Sequence, residues 1–430
     1  MKIVHLTPGT GNFHCGSCHR DNHLVKALRK LGHDVVMVPL YLPLVTDGPS
    51  ASENTPMFVG GINLFLQQKF PIFRKSPRWL DKLLDAPSLL LAAVKRAHMT
   101  SAKDLGQMTV ASFQGTHGPQ AKEWQRLLHW IETEEKPDLI SLSNGLLNGL
   151  AQTIREQLHL PVVCSLQGED SFLDALPEPY KQQSWELFRQ NSAHVARYVA
   201  TSQWYADQLQ ARLHLPPGKI ATVHNGLDLA DYAPAATPPE QPTIGFLARM
   251  IQGKGFDQLI TAFIQLKQRG THPELRLAIG GTMTEGDQPF IKQQKKRVAA
   301  AGLSDSVTWH PNLSAAEKIK FLQSLTILSV PATYGEAFGL YLLESLACGV
   351  PVVEPNHAGL AEVVTATLGG LLYDHTQPEA LANALETLLQ NPDLRAHHAT
   401  LGRQNVLEKF SAQAMATHFA AVCQTILNQP

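Results

Sequence analysis

Five cysteines in 430 residues are too few and too unevenly spaced for a disulfide framework. Reduced thiols in a cytoplasmic setting are therefore expected. No apolar run approaches the roughly 20 residues of a membrane span, and the opening MKIVHLTPG reads as a first strand rather than a signal peptide. Long blocks of one charge are also missing. Lys plus Arg number 36 and Asp plus Glu 37, which disfavours general nucleic-acid binding. The loop after the first strand is GTGNFHCG, not GxGxxG, and no acidic residue ends the next strand. That argues against a dinucleotide site. Cys15-x2-Cys18, with His14, His19 and His23 nearby, lacks the second ligand pair of a structural zinc site and the setting of a redox motif. A tight loop with buried thiols is the expected reading, its amides facing an interdomain cleft.

What the chain does contain is an alternation of short apolar strands and amphipathic helices. Lys2 to Leu6, a helix from about Asp21 to Leu31, and DVVMVPL form a βαβ opening, so the expected class is α/β with parallel sheets. From Pro43 to about Val110 the pattern loosens. Strands then recur at Pro137–Ser143, PVVCSL, Tyr198–Ser202 and Lys219–Val223. DYAPAATPPEQP, from Asp231 to Pro242, reads as a Pro-rich linker. A second series follows it: TIGFLAR, LRLAIGG, VTWHP, TILSVPA, PVVEPN and GGLLYD, with helices between. Two doubly wound, Rossmann-like domains facing across a cleft are expected, at 1–230 and 240–410, with a last helix at about 411–430 packing back on the first.

The stretch YGEAFGLYLLESLACG, Tyr334 to Gly349, carries the chemistry. Gly339 to Cys348 reads as a helix stopped by Gly349-Val350-Pro351. This puts Glu336 in the loop that opens the helix and Glu344 within it. Unpaired amides at a helix start favour an anion, while carboxylates accept hydrogen bonds from sugar or ribose hydroxyls. A phosphorylated, hydroxyl-rich ligand fits both; the rival reading makes both glutamates solvated surface residues. After TIGFLA, Arg249 and Lys254 precede Gly255 and a helix, a pattern that can clamp a diphosphate and offset charge on a leaving group. At the end of PVVCSL, the loop residues Gln167, Glu169 and Asp170 are candidates for an acceptor site, or else cap and turn residues. Residues 69–96 form a basic stretch with an apolar face. It is a candidate for peripheral contact with an anionic membrane surface, or packs on its own domain with a solvated basic edge.

These motifs, in this order, resemble the family 4 retaining glycosyltransferases of the two-domain GT-B fold. Arg249-x4-Lys254-Gly255 is similar to that family's donor-phosphate turn and Glu336-x7-Glu344 to its signature. Asn225-Gly226-x-Asp228, Ala358-Gly359-Leu360-Ala361-Glu362 and Gly370-Leu371-Leu372 are similar to further family segments, the last two to donor-domain turns. The resemblance implies a metal-independent, cofactor-free transfer of a hexose from a nucleotide diphosphate sugar to a hydroxyl on a glycan, lipid or small molecule. It assigns the diphosphate to Arg249 and Lys254, the sugar hydroxyls to Glu336, and the ribose to Glu344. The amides of Phe338, Gly339 and Leu340 would serve sugar and phosphates, and Gly11 would approach the phosphate from the first domain. Ala248 and Ala358 replace family glycines, and Gln167-Gly168-Glu169-Asp170 stands where many relatives have a histidine. Since Gln cannot act as a base, Glu169 or Asp170 is a candidate substitute; the family's front-face transfer, in which the leaving phosphate takes the proton, would need no protein base. The rivals are a non-catalytic sugar-nucleotide-binding protein and another enzyme of the fold, such as an epimerase.

Overall fold

The computed structural model describes residues 1–9, 16–42, 50–52, 55, 58, 66–67, 102–332 and 334–429. Gly11, Cys15, His14 and the basic stretch 69–96 lie outside the described residues.

Each α/β series builds one six-stranded sheet, and every strand pairing is parallel. The first sheet contains β1 (Lys2–Thr7), β2 (Asp34–Pro39), β3 (Leu139–Leu142), β4 (Val162–Leu166), β5 (Arg197–Ala200) and β6 (Ile220–Thr222), in the order β2-β1-β3-β4-β5-β6. The second contains β7 (Thr243–Leu247), β8 (Arg276–Gly281), β9 (Val307–Pro311), β10 (Ile327–Leu328), β11 (Val352–Pro355) and β12 (Gly370–Tyr373), in the order β12-β11-β10-β7-β8-β9. Strands covered by helices on both faces are apolar along their length instead of alternating. β3 and β4 accordingly have every residue buried. The α/β class and the doubly wound layers expected from the sequence are both present.

The chain divides into two compact units, Met1–Asn225 with Ala412–Pro430, and Gly226–Ser411. In the first unit Met415, Phe419 and Cys423 of the last helix (Ala412–Leu427) share a core with Leu24, Val25 and Leu28. The division falls ahead of the Pro-rich stretch. Leu227, Leu229 and Tyr232 are already buried in the core of the second unit.

Local departures from the sequence reading have clear causes. The first helix runs Gly16–Lys30, so Arg20 and Asp21 lie inside it, fully buried. A helix, Ala102–Gln114, occupies part of the stretch that reads as loose. Glu169 and Asp170 are not in a loop but form the first turn of a short helix, Glu169–Asp174. Ala358–Glu362 does not make a turn alone; it opens the helix Ala358–Thr367. TILSVPA contributes only Ile327 and Leu328 as strand. Beyond them Ser329 N–H still donates to the Gly245 carbonyl of β7 at 2.9 Å, but towards β11 side chains take over, Ser329 Oγ donating to the Val353 carbonyl and Val330 N–H to Glu354 Oε1, 2.9 Å away.

Candidate functional site

In the second sheet the strand order reverses between β7 and β10. Chain segments leaving two such strands diverge to opposite sides, and ligands of open α/β sheets bind in the crevice this leaves at their carboxyl ends. β7 runs directly into Arg249 and Lys254, and β10 into Tyr334 and Glu336. Lys254 ends a single helical turn, Gln252–Lys254, and Gly255 then adopts φ +70° before the helix Phe256–Arg269. A Cβ on Gly255 would lie 1.6 Å from the Pro331 carbonyl oxygen, so only glycine lets the two segments touch.

That contact brings the two motifs together. Lys254 Nζ forms an ion pair with Glu336 Oε2, and both side chains are largely buried. Tyr334 OH donates to the same oxygen at 3.0 Å, and Lys254 Nζ lies 5.1 Å from the Tyr334 ring centre and 5.6 Å from that of Tyr341. Burial disfavours charge on Lys254, but the Glu336 carboxylate outweighs it and holds the amine well above its ordinary range. Burial likewise raises the Tyr334 hydroxyl, with Glu336 adding to it. Glu336 is fixed from behind as well, since Gly359 N–H donates to its carbonyl at 2.9 Å.

Arg249 takes a separate carboxylate. Its Nη2 and Nε donate to the two oxygens of Asp287 at 2.9 and 3.2 Å, while half of its side chain stays exposed. Asp287 also accepts from the Thr284 amide and hydroxyl at 2.9 and 2.7 Å. Burial opposes its charge, yet Arg249 and Thr284 hold the carboxyl below the usual range. The sequence reading missed Asp287, although Thr284-x2-Asp287 is a legible capping pattern ahead of the helix Gln288–Ala300.

Glu344 lies on the helix Leu340–Ala347 and is buried. Its Oε1 accepts from Tyr232 OH at 2.9 Å and pairs with Lys318 Nζ. Neither partner was expected from sequence. Phe338 is buried, 6.1 Å from Phe410 between ring centres, and Gly339 holds φ +89° at the helix start before Leu340. The second unit thus gathers Arg249, Lys254, Glu336, Gly339 and Glu344 along one sheet edge, each charged group already paired.

The first unit holds the other candidates. Glu169 accepts from the amides of Gly145, Gln167 and Gly168 at 2.8, 2.9 and 3.1 Å and from Tyr205 OH at 3.0 Å. It ties the ends of β3 and β4 together. Burial pushes its carboxyl up, and the amides of Gly145, Gln167 and Glu169 itself, with Tyr205 OH, pull it partly back. Gln167 Nε2 donates to the Ser143 carbonyl at 2.6 Å and to Asp21 at 3.4 Å. Asp170 differs in having a buried Oδ1 with no hydrogen-bond partner. Among the described residues no group of three or more His, Cys, Asp or Glu side chains is placed to hold a metal.

Comparison with known families places the chain. Residues 231–405 match the model for glycosyl transferases group 1, and residues 106–231 match that for Glycosyltransferase Family 4. The chain belongs to the group 1, family 4 glycosyltransferases. Within this family, a D-inositol 3-phosphate glycosyltransferase of Arthrobacter sp. (strain FB24) is 29% identical over 266 residues, covering 58% of this chain and 61% of that one. A protein of the same description from Salinispora arenicola (strain CNS-205) is 31% identical over 248 residues, covering 53% and 54%. The matches thus span about three fifths or less of these relatives. Among solved structures, sucrose-phosphate synthase from Thermosynechococcus elongatus superposes with a TM-score of 0.71 at 18% identity, covering 99% of this chain and 98% of that one. The Anabaena HepE protein in complex with UDP-glucose gives 0.67 at 17% identity, covering 99% and 100%. At these identities the likeness shows the GT-B fold.

Proposed function

We propose that this family member transfers a hexosyl group from a nucleotide diphosphate sugar to a hydroxyl acceptor, with retention and without a metal. The observation that carries the reading is the Lys254–Glu336 pair, which joins the cationic turn after β7 to the glutamate motif after β10 at the sheet's switch point. In this reading the donor diphosphate lies against Arg249 and Lys254. Their fixed positive charge offsets the charge that builds on the departing diphosphate, the work that Mg²⁺ does in other transferases. Glu336 exchanges part of its hold on Lys254 for hydroxyls of the transferred sugar. Glu344, positioned by Lys318 and Tyr232, accepts from the ribose, and amides of Phe338, Gly339 and Leu340 complete the cradle.

Transfer with retention is written as attack on the face from which the diphosphate leaves, with the leaving phosphate taking the acceptor's proton, so no protein base is required. That suits a first unit in which Gln167 is no base and Glu169 is saturated with donors. Asp170 is then the acceptor-side carboxylate with an oxygen still to be used. The relatives' descriptions, D-inositol 3-phosphate glycosyltransferase and sucrose-phosphate synthase, support a polyhydroxylated acceptor, and HepE in complex with UDP-glucose supports a nucleotide-sugar donor. Among the described residues no helix is long and apolar enough to cross a membrane. The proposed setting is the cytoplasm, with 69–96 as the proposed contact to a membrane surface.

A thermal-shift panel of UDP-, GDP- and ADP-sugars, without and with EDTA, tests the reading. A rise in Tm with one nucleotide, unchanged by EDTA, is expected. A rise abolished by EDTA overturns metal independence, and no rise with any of them overturns the donor assignment.

A further inference from the structure

Behind the Lys254–Glu336 pair lies a carboxyl group that the family motifs do not use. Glu354 sits on β11, fully buried. Its Oε1 accepts the Val330 N–H at 2.9 Å, and its Oε2 has no hydrogen-bond partner. Tyr341 OH and Tyr373 OH, from the adjoining helix Leu340–Ala347 and from β12, are also buried without partners. Lys254 is committed to Glu336. A buried carboxylate without a cation carries a large desolvation penalty, which a proton removes.

Val330 is the point where the chain leaves β10 for the site. With the pairing to β11 ended at Leu328, the Glu354 side chain stands in for the missing backbone acceptor on that side. The next residue, Pro331, presses its carbonyl against Gly255, beside Lys254. Five residues further the same segment delivers Glu336. One hydrogen bond thereby sets the start of the segment that carries one partner and buttresses the turn that carries the other.

We propose that Glu354 is a positioning residue of the donor site and works as the neutral acid, Oε1 anchoring Val330 while its proton keeps a second negative charge away from the Lys254–Glu336 pair. The titratable groups that face it are Glu336 and Lys254 from the two site segments, Tyr341 from the helix and Tyr373 from β12. Burial moves the Glu354 carboxyl far above its ordinary range, and Glu336 adds to this against the opposing pull of the Val330 amide and Lys254. The site assignment rests on the proposed transferase reading; the protonation does not.

The test compares the full-length wild type with Glu354→Gln and Glu354→Ala. A group whose folded-state pKa is raised contributes stability below its unfolded pKa and loses it as pH rises. Glutamine keeps the acceptor and cannot ionise. Its Tm relative to wild type should therefore climb by about 2–4 °C between roughly pH 5.5 and 8.5. A Tm difference that is flat, or that falls with pH, overturns the neutral-acid assignment. Turnover gives the second readout: Glu354→Gln should stay within about twofold, while Glu354→Ala, which releases Val330, should lose about tenfold or more in kcat. Equal loss in both variants, or none in either, overturns the positioning role. A wild type inactive with every nucleotide sugar sinks the transferase reading instead, and the Tm comparison still decides the state of Glu354.

Discussion

Lys254 and Glu336, 82 residues apart in the chain, share one ion pair at the carboxyl edge of the second sheet. Because the pair is largely buried, removing either member leaves the other charge without compensation. Lys254→Met and Glu336→Gln should each lower kcat by about 10²-fold or more, in the range seen when one preorganised electrostatic group is lost. The double variant should fall by much less than the product of the two, because they act as a unit. Strictly multiplicative losses in steady-state assays with the identified donor would show that the pair is not the working element.

A methyl group is unfavourable at two adjacent positions, one that carries it and one that does not. Ala358 holds φ +55°, a left-handed conformation that costs a non-glycine residue about 1 kcal/mol. Ala358→Gly should raise the denaturation midpoint by an equivalent of about 0.5–1 kcal/mol with no change in slope. A Cβ on Gly359 would meet the Ala337 carbonyl oxygen at 2.2 Å and that of Glu336 at 2.9 Å. Gly359→Ala should therefore displace Glu336 and weaken the thermal shift given by the donor. A lower midpoint for Ala358→Gly, or an undiminished donor shift for Gly359→Ala, would contradict these assignments.

How far the sequence revealed this site depends on distance along the chain. Glu336 with Glu344, and Arg249 with Lys254, were legible because each pair lies within one strand–turn–helix unit, where spacing fixes geometry. Their partners were not. Asp287, Lys318, Tyr232 and Glu354 reach the site from other segments of the chain, and only tertiary packing brings them there. The alternation of apolar strands and amphipathic helices gave the α/β class, yet the side chains of Ser329 and Glu354 replace the backbone pairing of β10 with β11 in a way no periodicity signals. Glu169 was misread as a loop residue because an acidic pair after a strand looks the same whether it faces a ligand or caps its own backbone. The replacement of a family glycine by Ala358 has a cost in backbone dihedral that is invisible until φ is known.

Asp287 predicts a pH effect of definite sign. Its carboxyl is held below the usual 3.8, so its contribution to stability is present above that value and is lost as pH falls through the lower folded-state pKa. Asp287→Asn should flatten the part of the acid-denaturation profile below about pH 4. It should also raise KM for the donor more than it lowers kcat, because Arg249 loses the fork that orients it. An unchanged acid limb together with an unchanged KM would mean that the Arg249–Asp287 pair orients nothing.

Glu169 separates a structural carboxylate from a catalytic one. Its two oxygens accept three backbone amides, from the segments that follow β3 and β4, and Tyr205 OH, from the helix Gln203–Arg212 after β5. Glu169→Gln puts an NH₂ group where at least one of those donors points, leaving a buried amide or hydroxyl unsatisfied at a cost of about 1–3 kcal/mol. Chemical denaturation should show that loss, and turnover measured well below the new Tm should remain within about threefold of wild type. Had the carboxylate been the acceptor's base, the pattern would reverse, with stability nearly kept and turnover falling by about 10²-fold or more. Asp170→Asn is the matching control. Its unpartnered Oδ1 makes it the position in the first unit where turnover, and not stability, should respond.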